Sequence, residues 1–259
     1  MKIPIYQIDA FTSTLFKGNP AAVCPLDHWL DDKTLLNIAA ENNLSETAFF
    51  VKEGTGFRLR WFTPETEVDL CGHATLAAAF VILNHIVPLE SSVEFETLSG
   101  RLGVKNENGV LTMNFPSRKP EICPVPQELV KGLGGAPIEI LKSRDYFVVY
   151  DSEAEVVSLK PDMNLLEALD ALGVIVTAKG KSVDFVSRFF APRAGIPEDP
   201  VTGSAHSSLI PYWAEKLNKN KLHALQVSKR GGELFCEWRG DRVTISGHAV
   251  KYFEGSIEI

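Results

Sequence analysis

Four residues in three separate segments of this chain could together move a proton on carbon. They are a glutamate, a histidine, an aspartate and a serine: Glu46, His73, Asp199 and Ser204. Carboxylates and an imidazole accept and return protons near neutral pH, and a hydroxyl can hold a substrate by hydrogen bonding. This combination is typical of general acid/base catalysis on carbon, which needs no cofactor.

Two of the segments are glycine-containing turns that run into helical patterns. Gly72-His73 begins one helix and Gly203-Ser204 begins another. A helix N-terminus presents backbone N–H groups and the positive end of the helix dipole, so it holds a carboxylate without an arginine. Two such helix starts facing each other would bind a substrate carboxylate and stabilise the negative charge that develops on the adjacent carbon. A carboxylate in that partly desolvated place would have a raised pKa and could act as general base.

Each of these residues, taken alone, also has an ordinary structural interpretation. Glu46 fits a surface position or the first turn of a helix, and His73 fits a buried histidine at a helix start. Asp199-Pro200 is a common turn pair, and Ser204 is a common N-cap. The functional interpretation therefore depends on whether the four residues occur together.

The cysteines and histidines indicate neither disulfides nor a metal site. The four cysteines lie far apart, and the six histidines have no metal-binding spacing. We therefore expect free thiols and no metal. Cys71, beside a helix start, is predicted to have an acidified, reactive thiol. Racemisation by two thiols is not favoured, because the matching turn at Gly203 has no cysteine nearby.

Composition and charge exclude several classes of function. The net charge of −7 argues against a nucleic-acid or anionic-membrane surface. The N-terminal residues alternate like a β-strand and lack the apolar core of a signal peptide. The longest apolar stretch, residues 74–83, is about half a membrane span. These features predict a cytoplasmic protein.

The sequence pattern indicates two similar halves joined by a proline-rich segment. Each half shows a strand, a helix, a strand, a long loop, a glycine turn, a buried helix and hairpin strands in that order. Four prolines between Pro116 and Pro126 indicate a linker. We therefore predict an N-terminal lobe, residues 1–116, and a C-terminal lobe, residues 117–249. Coincidence among common strand-turn-strand signals is the alternative.

The sequence resembles the phenazine biosynthesis-like (PhzF-like) isomerase family. The resemblance extends from end to end, and its longest motif runs from Glu198 to His206. The segments that carry it are Asp9-Ala10-Phe11-Thr12, Gly18-Asn19-Pro20-Ala21-Ala22-Val23, Asn43-Leu44-Ser45-Glu46-Thr47-Ala48-Phe49, Arg60-Trp61-Phe62-Thr63-Pro64, Leu70-Cys71-Gly72-His73-Ala74-Thr75, Phe189-Phe190-Ala191-Pro192, Glu198-Asp199-Pro200-Val201-Thr202-Gly203-Ser204-Ala205-His206 and Arg230-Gly231-Gly232-Glu233.

The resemblance implies an α+β fold of the diaminopimelate-epimerase-like kind. Such a fold has two pseudo-symmetric lobes, each a curled, mostly antiparallel sheet wrapped around a central helix. The last strand, residues 250–259, would return to the first lobe. The resemblance also implies a cofactor-independent isomerase that acts on a small carboxylate-bearing substrate, and a homodimer.

The same resemblance implies a role for each site residue. Glu46 would be the proton-transferring base, and His73 and Asp199 would assist proton transfer or orient the substrate. Ser204, with backbone amides near Gly72 and Gly203, would bind the substrate carboxylate. An amino-acid racemase or epimerase on the same fold is the alternative enzyme. A non-catalytic module that binds a ligand or a protein is the alternative of a different class.

Overall fold

The computed structural model describes residues 1–259, which form two compact units. The first contains Met1–Asn114 and Ser246–Ile259, and the second contains Phe115–Ile245. The chain leaves the first unit within strand β8, Val110–Pro116, and comes back to it within strand β17, Arg242–Gly247. Strands greatly outnumber helices in both units, so the predicted α+β class is confirmed.

The first unit is built mainly from strands, with two α-helices. Besides its part of β8, its strands are β1 Lys2–Ala10, β2 Asn19–Leu26, β3 Glu46–Glu53, β4 Gly56–Phe62, β5 Glu67–Val68, β6 Ser92–Thr97, β7 Gly100–Glu107 and β18 Ala249–Glu258. The helices are α1 Asp32–Asn42 and α2 Gly72–Val81, and α2 continues into a π-helical turn, Ile82–Ile86.

Helix α2 is the buried helix of the first unit. Its side chains are small and apolar nearly all round, and almost every residue from His73 to Val81 is buried. A helix with no polar face is stable only when protein surrounds it on all sides. The helix predicted over residues 73–83 is therefore present, although its last turn is π-helical.

The second unit has nine strands, if β17 is included, and four α-helices. The other strands are β9 Glu121–Ile122, β10 Glu139–Lys142, β11 Tyr146–Val149, β12 Val174–Lys179, β13 Phe185–Ala191, β14 Ile196–Asp199, β15 Lys221–Gln226 and β16 Gly232–Arg239. The helices are α3 Gln127–Leu133, α4 Glu153–Ser158, α5 Met163–Glu167 and α6 Gly203–Leu217. Of these, α6 is the longest, and residues 205–214 within it are all buried.

The structure of the second unit differs from its sequence pattern in three places. The prolines and glycine of residues 191–200 predict a loop, but this segment contains a 3₁₀ turn at Pro192–Ala194 and strand β14. The pattern of residues 163–172 predicts a helix, but the helix that begins at Met163 ends at Glu167. Helix α4 was not predicted, although Ser152 and Glu155 form a capping box that the sequence displays.

None of the helices is both long enough and apolar enough to cross a membrane.

Candidate active site

Glu46 is the first residue of strand β3. Strand β3 pairs in parallel with β2, and this register sets Glu46 opposite Ala21. The carboxylate atom Oε2 lies 3.1 Å from Nε2 of His73, and only 12% of the Glu46 side chain is exposed. Both interpretations of Glu46 as a surface residue and as a helix-start residue are therefore wrong, and Glu46 and His73 do occur together.

His73 lies in the first turn of α2, where its ring is 4% exposed. Its Nδ1 atom is 3.2 Å from Nδ2 of Asn19 and 3.5 Å from Sγ of Cys71. Burial works against a charged ring, but the contacts with Cys71 and Glu46 outweigh it and hold the pKa of His73 well above its ordinary value. An imidazolium next to a carboxylate can give a proton, and the neutral ring that remains can take one back, without a large rearrangement.

Asn19 is a site residue that reasoning from chemistry overlooked. It is the first residue of β2, is completely buried, and contacts the edge of the His73 ring that faces away from Glu46. The sequence feature that points to Asn19 is the Gly18-Asn19-Pro20 segment, which belongs to the family resemblance but does not by itself give Asn19 a role. Its contact fixes the orientation of the ring, since an imidazole can turn unless both nitrogen edges are held.

The prediction of an acidified Cys71 was wrong. Cys71 is the residue before α2 and is 7% exposed, and burial raises the pKa of its thiol to about 11. The helix start does not compensate, because removing the thiol from water disfavours the thiolate more strongly than nearby N–H groups favour it. Cys71 is therefore a neutral thiol at neutral pH.

Asp199 is the last residue of β14 in the second unit, and it is 9% exposed. Its Oδ2 atom accepts a hydrogen bond of 2.6 Å from Oγ1 of Thr202, the residue before α6. The carboxylate is thus fixed to the start of the same helix that carries Gly203 and Ser204. A hydroxyl bond this short holds the carboxyl group in one orientation.

Gln226 holds this turn together from strand β15. Its Oε1 atom accepts from the backbone N–H of Thr202 at 2.9 Å. Its Nε2 atom donates to the Asp199 carbonyl oxygen at 2.9 Å and contacts Oγ1 of Thr202 at 3.1 Å. Gln226 is 1% exposed, so these bonds form away from water, where they are strongest. Nothing in the sequence near Gln226 signals this role.

Ser204 has a guanidinium beside it, which the sequence did not predict. Nη2 of Arg144 donates to Oγ of Ser204 at 3.1 Å. The same arginine is fixed by the buried Asp145, whose Oδ2 accepts from Nε at 3.0 Å and from Nη2 at 2.6 Å. Ser204 and Arg144 together offer polar donors suited to a carboxylate.

The two helices that begin at Gly72 and Gly203 share one feature. Neither has a side-chain cap on its first turn. Uncapped helix starts are the ends at which an anion can take the place of the cap. The structure therefore puts Glu46, Gly72 and His73 together in the first unit, and Asp199, Gly203 and Ser204 together in the second.

His206, two residues after Ser204, gives a pH-dependent prediction. Burial lowers the pKa of its completely buried ring to about 4, while Nδ1–H donates to the Thr202 carbonyl at 2.8 Å. An unfolded histidine has a pKa of about 6.5, so the unfolded chain binds the proton more readily between these values. We expect the free energy of unfolding to fall by about 3 kcal/mol from this group as the pH drops from 6.5 to 4.

The measurement is urea unfolding of wild type and His206→Asn at several pH values between 7 and 4. The wild-type stability should fall more steeply than that of the variant, whose side chain does not titrate. His28→Asn is the matched control, since His28 is exposed and should leave the wild-type slope unchanged. Parallel stability curves for wild type and His206→Asn would contradict the prediction.

Comparison with known proteins identifies the family. The sequence profile described as phenazine biosynthesis-like protein matches residues 8–255. The chain is 52% identical to an uncharacterized isomerase of Pseudomonas aeruginosa, over all of both chains. It is 50% identical to a PhzF-family phenazine biosynthesis protein of Enterococcus faecalis, whose crystal structure matches with a TM-score of 0.98 over all of both chains.

A more distant structural similarity, at low sequence identity, supports only the fold of this chain. A hydroxyproline epimerase of Agrobacterium vitis matches with a TM-score of 0.65 at 10% identity, over 99% of this chain and 92% of that one. The chain belongs to the phenazine biosynthesis-like isomerase family, as its motifs predicted.

Proposed function

We propose that this protein is a cofactor-independent isomerase that moves a proton on a small carboxylate-bearing substrate. The observation that carries the proposal is the buried contact of 3.1 Å between Glu46 Oε2 and His73 Nε2. A carboxylate next to an imidazole of raised pKa can alternate between base and acid. The names of the relatives, which include isomerases, agree with this chemistry.

In the proposed reaction, Glu46 removes a proton from a carbon near the substrate carboxylate. The C–H bond breaks, an O–H bond forms on Glu46, and the electron pair is delocalised towards the neighbouring π system. The proton then goes to a different carbon of the same molecule, returned by Glu46 or supplied by His73 or Asp199. Atoms and charges balance without an oxidant, a reductant or a cofactor.

The residues of the second unit are proposed to bind the substrate. Ser204 and the backbone amides at the α6 start would hold its carboxylate, with the amide at Gly72 supplying the same kind of contact at the α2 start. Donors that are fixed before the reaction stabilise developing negative charge without reorganising. Asp199 is held in place by Thr202 and would orient the substrate or assist reprotonation.

The test is to incubate the purified protein with a panel of small cyclic and amino carboxylates. A product with a migrated double bond, seen by proton NMR, supports the isomerase. Inversion at one carbon without bond migration, seen by chiral chromatography, would favour the racemase or epimerase alternative. Ligand binding without any product across the panel would favour the non-catalytic binding module.

We also propose that two copies of the chain pair along strand β18. This strand pairs antiparallel with β1 from Lys2 opposite Glu258 to Ala10 opposite Ala249, with a register shift between Gln7 and Ile8. Residues 252–256 of β18 are all exposed, so both faces of this stretch contact solvent. An exposed stretch that carries apolar side chains is a surface suited to contact with another chain.

The side chains around β18 favour a second copy as the partner. Tyr252 and Phe253 lie next to each other, and Phe16 contacts the Tyr252 ring at 5.8 Å between centroids. The Phe16 side chain is 67% exposed, although its φ of 69° strains the backbone by about 1 kcal/mol. Antiparallel pairing would bring Lys251 of one copy near Glu254 of the other, whereas parallel pairing would bring like charges together.

Phe253→Glu should convert the dimer to a monomer, because it adds a charge in the middle of the proposed interface. The measurement is the molar mass by sedimentation at concentrations around the dissociation constant. Leu89→Glu is the matched control, since Leu89 is 99% exposed in the same unit and is not part of β18. A wild-type monomer, or a Phe253→Glu dimer as stable as the Leu89→Glu dimer, would overturn this interface.

A further inference from the structure

We propose that the Glu46, Cys71 and His73 side chains form a binding site for a thiophilic divalent cation such as Zn²⁺, and that this ion inhibits the enzyme. One ligand atom from each of the three residues lies within 4.8 Å of the other two. The residues come from the start of β3, the residue before α2 and the first turn of α2. Glu46 lies in a separate segment from Cys71 and His73, so the sequence alone does not show the three residues as one cluster.

Two of the atoms that would bind the ion are buried and lack well-aligned hydrogen bonds. Oε2 of Glu46 and Nε2 of His73 are 3.1 Å apart, but neither has a hydrogen bond of normal geometry. In a tetrahedral zinc site, with bonds of about 2.0–2.3 Å, neighbouring ligand atoms stand about 3.3–3.6 Å apart. The Glu46–His73 pair already has nearly this spacing, whereas Sγ of Cys71 lies 3.5 Å from Nδ1 and would have to turn towards Nε2 to join the other two.

Asn19 determines which nitrogen of His73 would bind. The Asn19 side chain lies against Nδ1 at 3.2 Å, so Nε2, on the Glu46 side, is the available ligand atom. When Nε2 binds the ion, Nδ1 carries the ring proton, and the Asn19 amide would turn so that its oxygen accepts from Nδ1–H, the kind of contact that generally orients a histidine ligand. The site therefore has both a ligand and the contact that orients it.

The charges and chemistry of the three groups select the kind of ion. A thiolate and an imidazole favour Zn²⁺ or Cd²⁺ over Mg²⁺ or Ca²⁺, which prefer oxygen ligands. When the ion binds, the Cys71 S–H bond and the Nε2–H bond of the protonated His73 ring break, metal–sulfur and metal–nitrogen bonds form, and both protons go to solvent. The thiolate and the Glu46 carboxylate then balance the two positive charges of the ion. Three protein ligands leave a fourth position for water or a substrate oxygen.

The inhibition, but not the binding, rests on the proposed function. The ion would use the lone pairs of Glu46 and His73 with which the proposed reaction moves its proton. Binding is therefore tested by a spectroscopic signal from the thiolate, which does not depend on any substrate. Failure of the proposed function would leave that signal in place.

The experiment is a titration with Cd²⁺, whose bond to a thiolate absorbs in the ultraviolet. It uses the Cys123→Ser protein as the reference, because Cys123 is the one cysteine that is only partly buried. We expect one Cd²⁺ per chain, displaced by Zn²⁺ and not by Mg²⁺. The absorbance should be lost in Cys71→Ser and in Cys71→Ala, with the fold of each checked by circular dichroism. His73→Gln should weaken binding at least tenfold, a loss that even contacts to a metal ligand can cause.

An unchanged Cd²⁺ signal in both Cys71 variants would overturn the site. Equal displacement by Mg²⁺ would overturn the assigned ion class. Zn²⁺ that binds at Cys71 and leaves isomer formation unaffected would overturn the inhibition.

Discussion

Glu46→Gln is expected to reduce turnover by about 10²–10⁴-fold, the typical contribution of a general acid/base group. Glutamine has nearly the same shape as glutamate but cannot accept a proton from carbon. Because Glu46 is buried against His73, the amide should occupy the same place and ligand binding should survive. The measurement is the initial rate of product formation on the substrate that the panel identifies, with ligand affinity measured in parallel.

Glu53→Gln is the matched control for this prediction. Glu53 is at the other end of β3 and is exposed, so its replacement should leave the rate unchanged. A Glu46→Gln protein that is folded, binds ligand and retains more than about a tenth of the wild-type rate would show that another group is the base.

Gln226→Met is expected to lower the free energy of unfolding by about 2–4 kcal/mol. Methionine fills a similar volume but removes the acceptor of the Thr202 N–H and the donor to the Asp199 carbonyl. Water does not replace the hydrogen bonds lost at this buried position. The Thr202 N–H and the Asp199 carbonyl would therefore remain unpaired, and their full desolvation penalty lowers the stability. The measurement is the urea midpoint and slope at pH 7 for the variant and the wild type.

Gln127→Met makes the same chemical change at an exposed position and should alter stability by less than about 0.5 kcal/mol. Since Gln226 also fixes the turn between Asp199 and Thr202, activity measured well below the melting temperature should fall in Gln226→Met alone. A Gln226→Met protein as stable and as active as Gln127→Met would contradict the role assigned to this network.

The local sequence predicted the structure correctly where a single residue, or the regular spacing of apolar residues, decides it. Asp31 begins α1 by accepting from the Thr34 N–H at 3.0 Å, as an acidic residue before a periodic apolar pattern predicts. The apolar stretch after Gly72 forms the buried helix α2. The family, and with it the α+β fold, followed from motifs that recur from end to end.

Contacts between distant segments were not predictable in this way. Gln226 reaches Thr202 from 24 residues along the chain, and Asn19 reaches His73 from 54 residues along it. Gln226 does not differ in sequence context from an ordinary strand position. The Gly18-Asn19-Pro20 segment marks Asn19 but does not show that it contacts His73, so only the folded structure reveals either contact. The pKa of Cys71 could not be predicted for the same reason. The sequence shows that Cys71 stands at a helix start, but it does not show the burial that decides the pKa of its thiol.

The most direct test of the account is deuterium exchange, with wild type and Glu46→Gln measured side by side in deuterated water. Each protein would be incubated with the carboxylate panel, and mass shift and proton NMR would locate any deuterium on carbon. We expect isomer formation or deuterium on carbon with wild type and neither with Glu46→Gln, while both proteins bind the same ligand. Equal exchange by the two proteins, or binding without exchange in either, would contradict the claim that Glu46 moves a proton on carbon.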